Sequence, residues 1–564
     1  MGSLRRATRS LHDHRIVALA AVVGALTGLV VALFERIVRG GLIDRLLEAP
    51  LALQVVAPLV GFGIAGLVLT HLARGAGPSL ADDYLRAYHD RETRLRLRDL
   101  PAKLLAGAAT LAGGAAMGFE AAAILSGATI GSTVQRRTSR WFTREESRVL
   151  LVAGAAAGVG AIFKAPATGA LFAMEVPFRA DLARRTLLPT LFASAAGYLT
   201  FVAVDGPSPL FPIGSVHDLR WVDLAAAVAL GLLAGGGARA FAWAVRAAKA
   251  RTAGIPLGVR VLVAGASVGA LVAGSDALTG EPLALGPGYD AIRWAFEPGH
   301  AAGVILGLLL LRGLATIGAV AAGGAGGLFI PLVIEGALLG RLVAELVGAG
   351  DSTLLPVLGV AAFLGAGYHV PLAAVVFVAE ATGRPGFVVP GLIAAASAQL
   401  TMGPRSVTTY QRDRRMGHLE GRLDLPVATA VRTDAVTAPP TASVADVIST
   451  HLLGARLLSV PVVEGADYLG VASLHDLTGL DPDRWADTPV SEVMDVEVPA
   501  VPLRASVGEA LALLEEADAD RLPVIDERGF VGVVSTSEIL RLDEVLEATE
   551  AGRQRAMQDR QKAV

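Results

Sequence analysis

The sequence predicts an all-α polytopic membrane protein with a soluble α/β domain at its C-terminus, on three observations. First, of 564 residues 53% are hydrophobic and only 18% charged, with a mean hydropathy of +0.55; a soluble chain carries about 25% charged residues. Second, charge-free runs recur that are long enough to cross a bilayer, which takes ~20 residues. They are Ile16 to Phe34, Thr186 to Val204 and the longer Gly313 to Ile334. Third, the composition changes near residue 405 from Gly- and Ala-rich to mixed, with charges every few residues and short β-branched runs such as "LLSVPVVEG" and "GFVGVVST". Those runs read as strands, alternating with helical stretches such as "SVGEALALLEEAD".

Each element follows in order. Residues 1–14 form a basic N-terminal segment. Glu35 and Arg36 follow the first apolar run where a cleavage site would stand, so the run reads as a retained span. Arg5, Arg6, Arg9 and Arg15 precede the first span, and Arg405, Arg412, Arg414 and Arg415 follow the last. By the positive-inside rule both termini are cytoplasmic and the number of crossings is even, in a cell membrane. The transmembrane part is placed at 15–404, the linker at 405–426, two soluble modules at 427–487 and 488–546, and a tail at 547–564. The chain has no cysteine, which excludes disulfides and thiolate metal sites. A net charge of −3 gives no ground for a nucleic-acid partner.

The membrane part repeats itself, over about 15–205 and 220–404. "GFEAAAILSGATIG" places glycines at 118, 127 and 131; "GLFIPLVIEGALLG" places them 209 residues later, at 327, 336 and 340. The same offset carries Gly77-Pro78 onto Gly286-Pro287. "KAPATGALFAME" and "HVPLAAVVFVAE" share Pro166 and Pro371, each followed nine residues later by Glu175 or Glu380. Two similar odd-numbered halves of opposite topology fit an even total, and such repeats put their binding site where interrupted helices meet near the midplane. Each interrupted helix start aims unpaired N–H groups and roughly half a positive charge at that place. The Gly-rich starts "RGAGPS", "GGAAMGFE" and "GGAGGLFIP" therefore predict an anion site built without basic side chains. For any single glycine, the alternative is close packing of membrane helices.

Glu120 stands alone in this setting: from Leu104 to Gln135 there is no other Asp, Glu, Lys or Arg. A carboxylate in a span is costly and functional by default. The plainer alternative is an acid favouring the first turn of a helix.

At these residues the sequence resembles the CLC family of chloride channels and chloride/proton exchangers, over roughly 15 to 415. "GGLFIP" is similar to the family's GGxFxP segment, and "GPGYDAI" and "AIFKAPATGALFAMEV" also look like family segments. The resemblance implies a CLC-type inverted repeat with broken helices, a homodimer with one pore per subunit, and chloride or another small anion as the substrate. It implies anion binding by Gly327, Leu328, Phe329 and Ile330 in one half and by Gly118 and Phe119 in the other. Glu120 matches the gating glutamate, which occupies the outer anion site and competes for the same N–H groups.

Four departures from the family pattern matter. The GREGP segment is "GFEAA" here, without its Arg and Pro. GSGIP is "GAGPS", which puts Gly75, Ala76 and Gly77 at the inner site, with Ala76 in place of the anion-binding serine and Ser79 as a substitute. The anion-binding tyrosine falls on Val407 or Thr408, with Tyr410 slightly beyond. The inner proton glutamate of the exchangers is Val176, as in the family's channels, and valine carries no proton. Glu175 and Glu380 look structural. Glu335 matches no family residue; it reads either as the partner of Arg341 or as a substitute protonatable group.

The tail is duplicated as well: "ASVADVI" recurs as "ASVGEAL", and Pro461, Gly470 and Ser473 recur at 523, 532 and 535. It resembles tandem cystathionine-β-synthase-like (CBS) modules. Ser473 with Asp476, and Ser535 with Glu538, have the spacing that holds a ribose, which would suit an adenine nucleotide; the same spacing is a helix N-cap box. No required cofactor, metal site or catalytic set stands out.

The reading is a CLC-type anion channel gated by Glu120 and regulated by the tail. A proton-coupled chloride antiporter of the same fold is the alternative, and a CBS-regulated divalent-cation transporter a more distant one. Few acids and many helix starts favour an anion.

Overall fold

The charge-free runs become helices because in lipid only a helix satisfies its backbone groups within one segment. The computed structural model describes residues 2–73, 77, 78, 80–90, 93–142, 146, 148–183, 186–211, 221–413, 423, 425–517 and 519–542; the side chains of residues 2–13, 80 and 81 are left aside. Residues 1–415 and 416–564 form two compact units.

The first half of the membrane unit begins with α1 (Gly2–Glu35), which runs on through a wider π turn into α2 (Asp44–Leu47). There follow α3 (Leu51–His71), α4 (Leu80–His89), α5 (Leu100–Ala112), α6 (Glu120–Arg137), α7 (Val149–Ile162), α8 (Pro166–Glu175) and α9 (Leu187–Asp205). The second half comprises α10 (Trp221–Thr252), α11 (Leu257–Thr279), α12 (Tyr289–Phe296), α13 (Ala302–Ala322), α14 (Phe329–Leu346), α15 (Leu354–Tyr368), α16 (Pro371–Thr382) and α17 (Val388–Met402). Among the described residues seven helices are long and apolar enough to cross a membrane; α7, α15 and α16 are apolar but shorter.

One expected element is different. The charge-free run Gly313 to Ile334 is not a single span. Gly323, with φ of 88°, takes up the left-handed conformation that ends α13, and a non-helical stretch precedes α14 at Phe329. Absence of charge marks burial; it does not mark continuity.

The repeat is visible element by element. α4 and α12 start 209 residues apart, as do α6 and α14, and the packed pair α6–α7 has its counterpart in α14–α15. The repeated glycines divide into two kinds. Gly127 lies so close to Gly154 that a Cβ there would come within 1.9 Å of the Gly154 carbonyl oxygen, and Gly336 faces Gly359 at 2.3 Å in the same sense. These glycines let helix backbones touch. Gly118 and Gly327 do something else, described below.

The halves also clasp one another. Glu380 on α16 accepts from Ala167 N (2.9 Å) and Thr168 N (2.8 Å) at the start of α8. Glu175, at the end of α8, accepts from Leu372 N (3.1 Å) and Ala373 N (2.8 Å) at the start of α16. A contact in which i binds near j while j binds near i is the mark of a two-fold relation.

In the tail unit, β1 (Ser459–Glu464) and β2 (Asp467–Ser473) form an antiparallel hairpin, with Pro461 opposite Val471. β3 (Val501–Pro502) pairs in parallel with β4 (Arg521–Asp526), which pairs antiparallel with β5 (Gly529–Ser535), Pro523 opposite Val533. Each hairpin packs on helices, α18 (Val444–Asp446) with its continuation to Leu453 and α19 (Leu474–Thr478) for one, α20 (Val507–Glu516) for the other. Two separate apolar cores result, one per copy of the repeat. Residues 543–564, which include the 547–564 tail, lie outside the described residues.

Candidate functional site

The Gly-rich loops before α6 and α14 meet at one point. Gly118 N donates to Gly327 O and Gly327 N to Gly118 O, both at 2.9 Å. This corrects one expectation: the amides of Gly118 and Gly327 are taken up by each other and are not offered to an anion. What the two glycines supply is space. A Cβ on Gly118 would lie 1.9 Å from Glu120 Oε2, and one on Gly327 would lie 1.9 Å from Glu120 Oε1. The Glu120 carboxylate thus sits in a slot between two backbones.

Glu120 opens α6 and is fully buried. Its Oε1 accepts from Phe329 N at 2.6 Å, and the Ile330 amide and its own backbone amide also act on the carboxylate. The carboxylate of one half therefore caps the first turn of the helix in the other, where roughly half a positive charge resides. Oε2 is buried and has no hydrogen-bond partner among the described residues. The ring of Phe329 is stacked on Phe163 at 4.3 Å and met edge-on by Phe172 (5.4 Å) and Phe377 (4.9 Å), which fixes the amide it carries. Phe119 is buried with its ring edge-on to Phe34.

Beside this slot is a cavity of about 370 Å³ lined by Gly77, Gly327, Leu328, Tyr368, Thr408 and Tyr410 among others. Gly75, Ala76 and Ser79 lie outside the described residues. Thr408 is buried with its Oγ1 3.2 Å from Ser406 Oγ, and Val407 N donates to Gly367 O at 3.0 Å. Tyr410 is 37% exposed, and its hydroxyl accepts from Arg86, whose guanidinium stacks on the ring at 4.6 Å. A third hydroxyl stands beside Leu328, that of Tyr368 at the end of α15, which is buried, lines the cavity and is acted on by the Leu328 amide.

Tyr368 was not singled out from the sequence, because family register points beyond the last span rather than to α15. A lone tyrosine closing a Leu-, Gly- and Ala-rich helix was the available signal. A second tyrosine, Tyr289 at the start of α12, also lies within electrostatic reach of Glu120. The Arg39 guanidinium stacks on its ring at 4.9 Å and pairs with Glu35 at 3.1 Å.

The expected Glu335–Arg341 pair is not formed. Arg341 points away, donating to Ala295 O (2.7 Å) and Phe296 O (2.6 Å), the carbonyls that end α12. The cation that acts on Glu335 is Arg312 of α13, which is fully buried and donates to Leu283 O (3.2 Å), Leu285 O (3.3 Å) and Gly286 O (2.6 Å). The expected partner was a basic group near the end of the same span; packing instead brings the charge of Arg312, on the preceding helix, to act on Glu335. Val176 is buried at the end of α8, and its carbonyl accepts from Gln411 Nε2 at 3.1 Å.

In the tail, both sugar-spaced serines act as helix caps. Ser473 Oγ accepts from Asp476 N (3.2 Å) and donates to Asp476 Oδ2 (2.5 Å). Ser535 is paired with Glu538 in the same way, its Oγ accepting from Glu538 N at 3.4 Å. Ser506 and Glu509 make a full capping box at α20. Among the described residues no group of three or more His, Asp or Glu is placed to hold a metal ion.

Comparison with known proteins places this geometry. The chain is 28% identical to the H(+)/Cl(-) exchange transporter ClcA of Salmonella typhi over 416 residues, which covers 68% of this chain and 85% of that protein. The ClcA of Citrobacter koseri matches at 28% over 412 residues, with the same coverage. A CLC-type fluoride/proton antiporter shares the fold at a TM-score of 0.63 and 22% identity, over 71% of this chain and 98% of the other. A eukaryotic CLC transporter does so at 0.59 and 19%, over 93% of this chain and 98% of the other. The CBS domain model matches residues 427–482 and 490–544. The voltage gated chloride channel model matches residues 61–403, more than half of the chain and all of the α6–α14 slot, so the chain belongs to the CLC family.

Proposed function

We propose that the chain is a chloride-conducting anion channel of CLC type, with Glu120 as its gate. The observation that carries this is the Glu120 carboxylate bound to Phe329 N, an anion already resident on the helix start that an anion would use. A permeating anion takes the carboxylate's place when Glu120 leaves. Phe329 and Ile330 supply backbone N–H groups to it, and Tyr368 supplies a hydroxyl from the wall of the adjoining cavity. The α14 start offers N–H donors, and in the cavity beside it three cations, Arg86, Lys249 and Arg260, outnumber two acids, Asp82 and Asp83, which suits an anion better than a divalent cation.

Efflux of chloride from vesicles holding the full chain tests the gate. Glu120→Gln cannot hold charge at Phe329, so it should raise chloride efflux and remove most of its dependence on pH. Unchanged efflux and unchanged pH dependence would remove Glu120 from the pathway.

A proton-coupled antiporter is the second reading, favoured by the exchanger names of the ClcA relatives. Against it stands Val176, which leaves protons no carboxylate station after Glu120, and a bare proton in apolar surroundings costs several kcal/mol or more. Glu335 is the substitute station this reading would need: it is buried with Oε1 unpartnered, and Arg312 forms no hydrogen bond or ion pair with it among the described residues.

For the whole molecule we infer a homodimer in the cell membrane with both termini cytoplasmic and no required cofactor. The tail regulates without conducting: truncation after Arg415 should leave efflux intact and change its control. Calorimetry with adenine nucleotides on the full chain tests whether Asp476 holds a ribose as well as capping α19.

A further inference from the structure

We propose that a second cavity, between the end of α10 and the segment after α17, binds the phosphodiester headgroup of an anionic phospholipid. The cavity is about 470 Å³ and is lined by Trp243, Arg246, Lys249, Arg405 and Thr409, with two alanines. Three of its side chains are cationic and none is acidic.

Its place in the fold fits a headgroup. α10 has 32 residues, about 48 Å at 1.5 Å each, and exceeds the ~30 Å hydrocarbon core. Its last turns therefore stand at headgroup level, where tryptophan concentrates. Trp243 is 58% exposed there. Arg239, Trp243 and Arg246 follow at helical spacing on one face, and Arg239 also lies beside Gly403, at the exit of α17. Apolar ring and basic groups on one face are what a phospholipid presents in reverse: an acyl boundary and a phosphate.

The three cations are not equivalent. Lys249 is paired with Asp82 at 3.0 Å, and Arg246, which lines the cavity, donates to Thr408 O at 3.0 Å. Arg405 is exposed and makes no hydrogen bond or ion pair among the described residues. A guanidinium fork suits a phosphate oxygen pair. Basic pockets between spans on the cytoplasmic side hold lipid headgroups by this chemistry. Arg405 is therefore the main ligand, Arg246 the second, and Trp243 the acyl-side wall.

The cavity adjoins the first one, since Lys249 and Thr409 line both. A bound headgroup puts negative charge at the mouth of the cavity that leads to Leu328, and lowers the local concentration of small anions there.

The test is native mass spectrometry of the full chain in detergent, titrated with phosphatidylglycerol, with phosphatidylcholine and with inorganic phosphate. One phosphatidylglycerol should be retained per chain in preference to phosphatidylcholine. Arg405→Gln should weaken that retention about fivefold, the worth of one basic group near an anionic headgroup, while Arg405→Lys should keep most of it. Arg405 has no internal bond to lose, so the Gln variant should melt with the wild type. Equal retention of both lipids, or retention unchanged in Arg405→Gln, would overturn the site. Displacement of the lipid by inorganic phosphate at equal affinity would overturn the lipid as its ligand and make it a small-anion site.

Discussion

Glu175 and Glu380 each hold the first turn of the helix on which the other stands. Both helices begin at proline, Pro166 and Pro371, and both proline corners are entered from a non-glycine residue in the left-handed region, Lys164 at φ 52° and His369 at φ 54°. A carboxylate that accepts from two helix-start amides satisfies donors that have no partner within their own helix. Removing it leaves those amides exposed to an apolar interior.

Glu380→Ala should therefore lower the stability of the membrane unit by about 2 kcal/mol, the cost of buried donors left unmade. Glu380→Gln should cost less, because its amide oxygen still accepts one bond. Thermal unfolding in detergent measures both. Equal melting of Glu380→Ala and the wild type would show that the clasp contributes nothing.

Gly327→Ala tests the slot from its wall. The added Cβ meets the Glu120 carboxylate at 1.9 Å, and a side-chain end can move where a backbone cannot. Gly327→Ala should displace Glu120 and raise chloride efflux in the same direction as Glu120→Gln. Combining the two substitutions should add little, since both empty the same place. Additive increases would place Gly327 outside the gate.

Tyr368→Phe removes one hydroxyl from the inner cavity and no packing. Chloride binding to the full chain should weaken by about three- to tenfold, the range of one ordinary hydrogen bond. Tyr410→Phe should change it far less, because that hydroxyl is occupied by Arg86. Isothermal calorimetry with chloride separates the two, and the reverse ranking would return the role to Tyr410.

His89 gives a pH dependence that is separate from the gate. It ends α4, outside the candidate spans, with Nε2 2.9 Å from Pro177 O and its ring against Tyr88 and Phe178. Burial holds it down to about 4, with Arg412 and Arg148 adding to the effect. The unfolded chain takes up the proton near 6.5 and the folded chain does not. The resulting stabilisation is complete above pH 6.5 and is lost as the pH falls toward 4. His89→Gln should flatten the melting temperature over that window; an unchanged slope would assign it to another group.

Much of this was legible in the sequence, for physical reasons that differ by residue. The 209-residue offset exposed the repeat because close helix contacts and the slot around Glu120 need glycine at matching places in both halves. Glu120 stood out because an unpaired carboxylate in a charge-free run is rare. The partners of such residues were not legible. The charge of Arg312 acts on Glu335 from another helix, and Tyr368 meets the Leu328 amide from a third, so no spacing along one element announces either. Gly118 and Gly327 were found but misassigned: a sequence shows that Cβ is absent and does not show whether the space serves an amide or a side chain.

The channel reading rests on the missing station at Val176, and one measurement bears on it directly. Vesicles holding the full chain are loaded with high chloride at equal pH inside and out, clamped electrically, and followed for proton uptake as chloride leaves. The account predicts chloride efflux without uphill proton entry, and efflux that still varies with pH through Glu120. Proton uptake against its gradient, at a fixed ratio to chloride, would contradict it and establish an exchanger.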